Sequence, residues 1–307
     1  MAGMRKGFLR RLDSTPAVKA RNALICIIPA ALSIIALGVF PAALNVTLSF
    51  TNYNGDFAKM SFIGLTNYTN FFRLFGKDIG FAMLFTLEYM GLTIIPVQIF
   101  AILTALLVNA KIRGSNFFRA VFFMPSILGI SVICMTWSII LDYEDGAVTA
   151  LIKFLDLNYK AGLLGSEKTA MIWVGVIAVW SSFGFSMAIY LAALQGVSKD
   201  YYEAGKLDGI NAWTGFWRIT LPLIWPSITI CLWIALSGTI GMSDYIILLT
   251  GGGRNTKTIG FYIYDITMRG GKVTRGQVAA VSIYFFIFTS TIMILFNKFV
   301  RKREVEM

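Results

Sequence analysis

Residues 198–226 read SKDYYEAGKLDGINAWTGFWRITLPLIWP, a charged stretch followed by an apolar one. Its first half holds the densest charge in the middle of an apolar chain, with Lys199, Asp200, Glu203, Lys206 and Asp208. Uncharged runs stand on both sides, at 169–198 and 219–243. Each run is long enough to cross a bilayer, because ~20 apolar residues rising about 1.5 Å each span about 30 Å of hydrocarbon. The sequence therefore predicts a polar loop that returns between two membrane spans.

The same loop carries the signals of a short helix. Ser198 is a residue type that caps helix N-termini, and Asp200 suits a first turn, where negative charge is favourable. Gly209 fits the left-handed residue that ends such a helix. Tyr201 and Ala204 are spaced so that they share one helix face.

The composition is that of an integral membrane protein. The chain is 57% hydrophobic and 14% charged, whereas soluble domains carry about 25% charged residues. Its net charge of +11 lies in short clusters between apolar runs, a distribution that favours anionic lipid headgroups over nucleic acid as the partner. Histidine is absent, which excludes a histidine base, metal ligand or triad. Cys26, Cys134 and Cys231 lie far apart in apolar runs and are interpreted as buried free thiols.

The apolar runs predict an all-α integral membrane protein, a single transmembrane domain over 1–307. Six transmembrane helices are predicted at 23–48, 81–109, 119–141, 169–195, 219–249 and 277–297. More Lys and Arg residues fall in the predicted inner segments than in the outer ones, which favours cytoplasmic termini, and the resemblance described below implies the same orientation. Glu88 interrupts the second span, and an ionisable group there is by default a functional hypothesis.

The order of residues in the charged loop resembles a known family. The residues concerned are Glu203, Ala204, Gly205, Asp208, Gly209, Ile219, Leu221, Pro222 and Pro226. This order resembles the "EAA" loop of importer permeases of the ATP-binding-cassette (ABC) class. Gly205 stands where that family usually has Ala. Glycine costs up to ~1 kcal/mol of helix stability relative to Ala, but it leaves the helix surface flat for close docking.

Three other segments resemble the sugar-permease branch of the same class. Residues 62–68, FIGLTNY, are similar to a signature that follows the first span, and residues 118–125 are also typical. Residues 244–253, DYIILLTGGG, are similar to the end of the fifth span in that branch. There Ser243 replaces the usual Phe, and Arg254 replaces the final Pro.

The resemblance implies an alternating-access permease of a bacterial or archaeal cytoplasmic membrane. The loop 198–218 would be a cytoplasmic coupling helix between spans four and five that docks on a separate ATPase. The implied ATPase-coupling residues are Tyr201, Glu203, Ala204, Gly205, Leu207, Asp208, Gly209, Leu221 and Pro222. The implied partners are a second, related permease subunit, two ATPase subunits, an extracytoplasmic solute-binding protein and membrane lipid.

The chain itself is expected to be no enzyme and to hold no cofactor, with ATP and Mg²⁺ on the ATPase. Two segments look like phosphate-binding loops, 162–169 and 251–258. Each lacks the second glycine that lets the backbone approach a phosphate. Energy must therefore come from the partner ATPase.

In sugar permeases of this kind the fourth and fifth spans line the solute path. The residues so implied are Ser181, Ser182, Phe185, Ser186, Ser237, Thr239, Met242 and Asp244. Hydroxyl groups can pair with sugar hydroxyls, and an aromatic ring can stack on a sugar. The alternative is that small serine and threonine residues only allow helices to pack closely.

The favoured substrate class is a carbohydrate, and two alternatives remain open. Glycerol phosphate or a related polyol ester would suit the basic outer loop 251–276. An ion-gradient-driven secondary transporter would need buried ionisable residues on several spans. Only Glu88 and Asp244 qualify for that role.

Overall fold

The chain contains long apolar helices that can cross a membrane. A computed structural model describes residues 16–110, 113–155, 162–241, 243–269 and 273–300. In these ranges every regular element is a helix, apart from one β-bridge between Thr51 and Phe62. The predicted all-α class is confirmed.

The α-helices are α1 Pro16–Ile34, α2 Phe40–Ser49, α3 Thr66–Asn109, α4 Ser115–Phe123, α5 Ile130–Ile140, α6 Ala147–Phe154, α7 Ala170–Gly196, α8 Lys199–Leu207, α9 Ala212–Gly215, α10 Leu221–Leu223, α11 Trp225–Gly241, α12 Asp244–Leu249, α13 Ile259–Arg269 and α14 Arg275–Val300. Two π-helical turns join α1 to α2 and α9 to α10, at Ile35–Val39 and Phe216–Thr220. Short 3-10 turns lie at Phe57–Lys59 and Met124–Ile127.

Four helical stretches are long and apolar enough to cross a membrane. They are Ala23–Ser49, Phe75–Asn109, Ala170–Gly196 and Arg275–Lys298. Two bent pairs also qualify if each pair counts as one span, Ser115–Ile127 with Ile130–Ile140 and Ala212–Leu223 with Trp225–Thr239. The described residues thus hold four to six candidate spans, and the predicted number lies at the upper limit.

The two bends, of 100° and 69°, fall where the sequence interrupts a helix. At the first, Pro125 cannot donate a backbone hydrogen bond, and Gly129 is extended with φ −64° and ψ 139°. The second lies at Ile224, between Pro222 and Pro226. The third predicted span is therefore broken rather than continuous. The fifth is also interrupted, because α11 ends at Gly241 and α12 is a separate helix.

Contacts between residues group the chain into two units, and each is described by itself. The first unit comprises 1–71 and 272–283, and the second comprises 72–271 and 284–307. In the first unit, none of the most apolar window of Ala23–Ser49 is buried. Cys26 lies there and is exposed, so the prediction that it is buried was wrong; Cys134 and Cys231 are buried as predicted.

The FIGLTNY segment closes the C-terminus of α2 within the first unit. The buried side-chain amide of Asn67 donates to the carbonyls of Ser49 and Thr51, at 2.8 and 2.7 Å. The hydroxyl groups of Tyr68 and Ser49 are 2.7 Å apart. These bonds satisfy carbonyl groups that a helix end leaves without partners. A local structural role therefore accounts for the Asn and Tyr of this motif.

The second unit has two apolar cores. One gathers residues of α3, α5, α7, α12 and α13 around the fully buried Val174 and Ile246. The other gathers α3, α7 and α11 around Tyr190 and Ile224. Helices α3 and α7 each contribute to both cores and so connect them.

We expect Asn67→Ala to destabilise the protein by about 1–3 kcal/mol, because it leaves two buried carbonyl groups unpaired. The matched control is Asn54→Ala, since Asn54 is exposed. The measurement is thermal unfolding of the purified protein in detergent, followed by its intrinsic fluorescence. Equal unfolding temperatures for the two variants would contradict the structural role of Asn67.

Candidate functional site

The charged loop forms the helix that its sequence predicted. The Ser198 hydroxyl accepts from the Asp200 amide at 3.3 Å and caps the start of α8. Gly209 follows the helix with φ +74°, in the left-handed region. The amides of Gly209 and Ile210 donate back to carbonyls of the last turn, at 3.1 and 2.9 Å. This is the Schellman arrangement, which a glycine at this position favours.

One face of α8 is open to solvent. Leu207 is 91% exposed, and Tyr201 is 53% exposed. Glu203, Ala204 and Asp208 are exposed as well. This face therefore presents two large apolar side chains beside two carboxylates.

The opposite face of α8 packs on the chain itself. Gly205 is buried, and a Cβ atom there would lie 2.8 Å from Cδ1 of Ile219. The hydroxyl groups of Tyr202 and Thr220 are 3.0 Å apart. The close approach that Gly205 permits within this chain is thus to Ile219.

The remaining residues predicted for coupling lie in the second half of the stretch. Leu221 and Pro222 are half-buried in α10. Leu221 packs against the core of α3, α7 and α11. They lie after the π-helical turn, at the end of the first helix of the bent pair and just before the bend at Ile224.

A cavity of about 360 Å³ brings together five of the eight predicted pathway residues. These are Ser181, Ser182, Phe185 and Ser186 of α7 and Thr239 of α11. Ser237 and Asp244 are exposed and do not line the cavity, nor does the exposed Glu88. Met242 lies outside the described residues.

The cavity also contains polar residues that sequence reasoning missed. They are Tyr89 and Thr93 of α3, Ser126 of the 3-10 turn and Tyr245 of α12. The hydroxyl groups of Tyr245 and Ser181 lie 2.6 Å apart. Tyr89 and Thr93 are four residues apart and share a helix face, but that spacing alone does not distinguish a cavity from a core.

The hydroxyl groups around the cavity differ in their bonding. Ser181 and Ser182 both donate to the carbonyl of Ala178, in their own helix. Ser126 Oγ is buried, and within the described part of the chain it has no hydrogen-bond partner. Since Ser181 donates to the helix, it accepts from the Tyr245 hydroxyl. Donation to the helix leaves the oxygen lone pairs of Ser182 able to accept from a solute.

Close packing beside the cavity depends on one glycine of α7. A Cβ atom at Gly184 would lie 2.1 Å from the carbonyl oxygen of Phe122 and 2.9 Å from Ser126 Oγ. Gly184 therefore lets α7 approach the backbone at the end of α4. This contact covers the region in which the helix of the bent pair is interrupted.

Comparisons with known proteins agree on a transport family. The sequence model of the family described as "Binding-protein-dependent transport system inner membrane component" matches residues 97–305. The probable starch degradation products transport system permease AmyD of Thermoanaerobacterium thermosulfurigenes is 30% identical, over 92% of this chain and 94% of its own length. The multiple sugar-binding transport system permease MsmF of Streptococcus mutans is 31% identical, over 87% and 90%.

A solved structure has the same fold. It is the crystal structure of a bacterial ABC transporter involved in the import of the acidic polysaccharide alginate. One of its chains superposes with a TM-score of 0.79 and is 22% identical, covering 93% of this chain and 97% of that one.

Gly184→Ala is expected to lower stability by about 1–3 kcal/mol, because the added methyl group meets backbone that must shift. Gly196→Ala is the control, since a Cβ atom there would meet nothing within 4 Å. Thermal unfolding in detergent compares them. If both variants unfold at the wild-type temperature, α7 does not depend on this close approach.

Proposed function

The chain belongs to the binding-protein-dependent inner membrane components, the permeases of ABC importers, and we propose that it forms half of an ATP-driven translocation pathway for a mono- or oligosaccharide. The observation that carries the substrate class is the chemistry of the 360 Å³ cavity. Every described residue that lines it is uncharged, and hydroxyl groups and the ring of Phe185 supply its polar and stacking surfaces. This favours a neutral polyhydroxylated solute over a phosphate ester.

The names of the curated relatives support the same substrate class. AmyD is named for starch degradation products and MsmF for multiple sugars. Both alignments run over most of this chain, including α3, α7 and α11, which build the cavity.

We assign α8 as the helix that couples this chain to an ATPase. Its exposed face offers Tyr201 and Leu207 for apolar contact and Glu203 for a basic group in a partner cleft. In this assignment ATP and Mg²⁺ bind to two separate ATPase subunits, and this chain has no catalytic role. A second, related permease completes the pathway, an extracytoplasmic solute-binding protein delivers the sugar, and both termini of this chain are cytoplasmic.

The packing of α8 supports a route for the coupling. Gly205 against Ile219, and Tyr202 bonded to Thr220, hold α8 to the π-helical turn before α10. Movement of α8 with the ATPase would therefore displace Ala212–Leu223, the first helix of the second bent pair. Helix α11, beyond the bend, carries Thr239 to the cavity. Alternating access requires such a rigid-body switch between two states, driven by ATP binding on the partner.

The first test is ATPase activity of the complex purified through this chain, stimulated by the solute-binding protein. Glu203→Lys places a positive charge where a basic cleft of the ATPase is expected. We therefore expect the stimulated ATPase activity to fall roughly tenfold or more. Glu144→Lys is the matched control, since Glu144 is exposed and far along the chain from α8. If Glu203→Lys retains the ATPase subunit and full stimulation, α8 is not the coupling helix.

The second test concerns the cavity and uses two serines. Ser182→Leu fills space in the cavity, whereas Ser237→Leu adds the same side chain outside it. We expect uptake of labelled maltooligosaccharides or lactose into proteoliposomes to fall several-fold for Ser182→Leu only. Glycerol 3-phosphate is included as the competing substrate class. Equal sugar uptake by the two variants would show that the cavity is not part of the translocation pathway.

A further inference from the structure

A second cavity, of about 600 Å³, lies between α8, the π-helical turn and one end of α3. Its walls are mainly apolar and include Leu103, Leu106, Ile210, Phe216 and Ile219. Tyr202, Lys206 and Asn211 add polar groups, and Lys206 is the one charged side chain among the described lining residues. The volume lies in the usual range of ligand pockets, about 300–1,000 Å³.

This second cavity lies at the edge of an apolar span. Leu103 and Leu106 belong to Phe75–Asn109, within its last two turns, and so within about 9 Å of its end at 1.5 Å per residue. Leu103 is 57% exposed, so this wall of the cavity is continuous with the outer surface of α3. Hydrocarbon chains of the bilayer can therefore reach the cavity directly.

Aromatic residues mark the same level. Trp213 is 72% exposed and lines the cavity, and Trp217 is 51% exposed. Their rings pack edge to face with centroids 5.8 Å apart. Exposed tryptophans are enriched at the boundary between hydrocarbon and lipid headgroups. The cavity thus combines an apolar interior with a cation at headgroup level.

We propose that this cavity binds an acyl chain of an anionic phospholipid, with the headgroup phosphate against Lys206. Removal of the apolar walls of this cavity from water is favourable, and a lipid chain that fills the cavity achieves it. A cation near the membrane surface attracts anionic headgroups. The chain as a whole carries a net charge of +11, which adds to that attraction.

Occupancy of the second cavity has a consequence for coupling, which rests on the function proposed above. Tyr202, Gly205 and Lys206 form the inner face of α8 and line the cavity. A bound lipid chain supports α8 on its buried side, opposite the exposed Leu207. Anionic phospholipid therefore raises the fraction of transporter molecules in which α8 is positioned to contact the ATPase.

Two matched pairs of variants test this site. Leu103→Trp fills the cavity, and Leu107→Trp makes the same change at a residue that is 43% exposed and does not line it. Lys206→Gln removes the cation, and Lys199→Gln removes another cation of α8 that does not line the cavity. All four positions are exposed to some degree, so the variants are expected to fold.

The complete transporter is reconstituted in nanodiscs of phosphatidylcholine with or without phosphatidylglycerol. Lipid retained by the purified protein is measured by native mass spectrometry, and stimulated ATPase activity is measured in parallel. We expect wild type and both controls to retain phosphatidylglycerol and to gain activity from it. Leu103→Trp and Lys206→Gln are expected to lose several-fold of both.

Retained lipid separates this proposal from the function on which it rests. If all variants retain phosphatidylglycerol equally while ATPase coupling is intact, the lipid site is wrong and the coupling helix stands. Loss of the second permease from Leu103→Trp, without a change in retained lipid, would show that a protein fills the cavity. If no ATPase subunit co-purifies with the wild-type permease, the proposed coupling role is wrong. Lipid retention by the permease alone would still test whether the second cavity binds phospholipid.

Discussion

The fold depends on hydrogen bonding of the backbone N–H and C=O groups in the hydrocarbon of the bilayer, which has no water to bond them. In hydrocarbon only unbroken helices satisfy these groups alone, and irregular backbone must be covered by protein or face a cavity. Both bends among the described residues obey the constraint. Leu128, at the first bend, lines the 360 Å³ cavity. Ile224, at the second bend, is buried in the core of α3, α7 and α11.

The same constraint explains the role of α7. It runs without interruption from Ala170 to Gly196 and contributes to both cores. The bent pairs need a continuous neighbour that can cover their freed carbonyl groups. Gly184 gives that neighbour direct access to the backbone at Phe122. The serine-rich turn around Gly184 then faces the cavity because the interrupted helix lies opposite it.

Sequence reasoning succeeded where one local feature determines the outcome. The long uncharged runs gave the spans 23–48, 169–195 and 277–297 to within two residues of the helical stretches. Ser198 and Gly209 marked both ends of α8, because capping is decided by neighbouring residues.

It failed where distant packing decides. A proline and a glycine indicate an interruption, but the 100° bend depends on what packs against it. Ser182 and Ser237 look alike in sequence, and only the rotation of α7 and α11 separates the cavity wall from the exposed surface. Tyr89 was missed because α3 is apolar on nearly every side. Helix α13 was also missed, since the segment was interpreted as a loop.

In the coupling role proposed above, the two faces of α8 make the contact with an ATPase separable from the folding of the permease. Gly205 and Tyr202 hold the helix to its own chain, while Glu203 and Leu207 point away from it. Substitutions on the outer face can accumulate without disturbing the inner one. In that role, a permease can change or share its ATPase subunit during evolution while the residues that line its solute path stay the same.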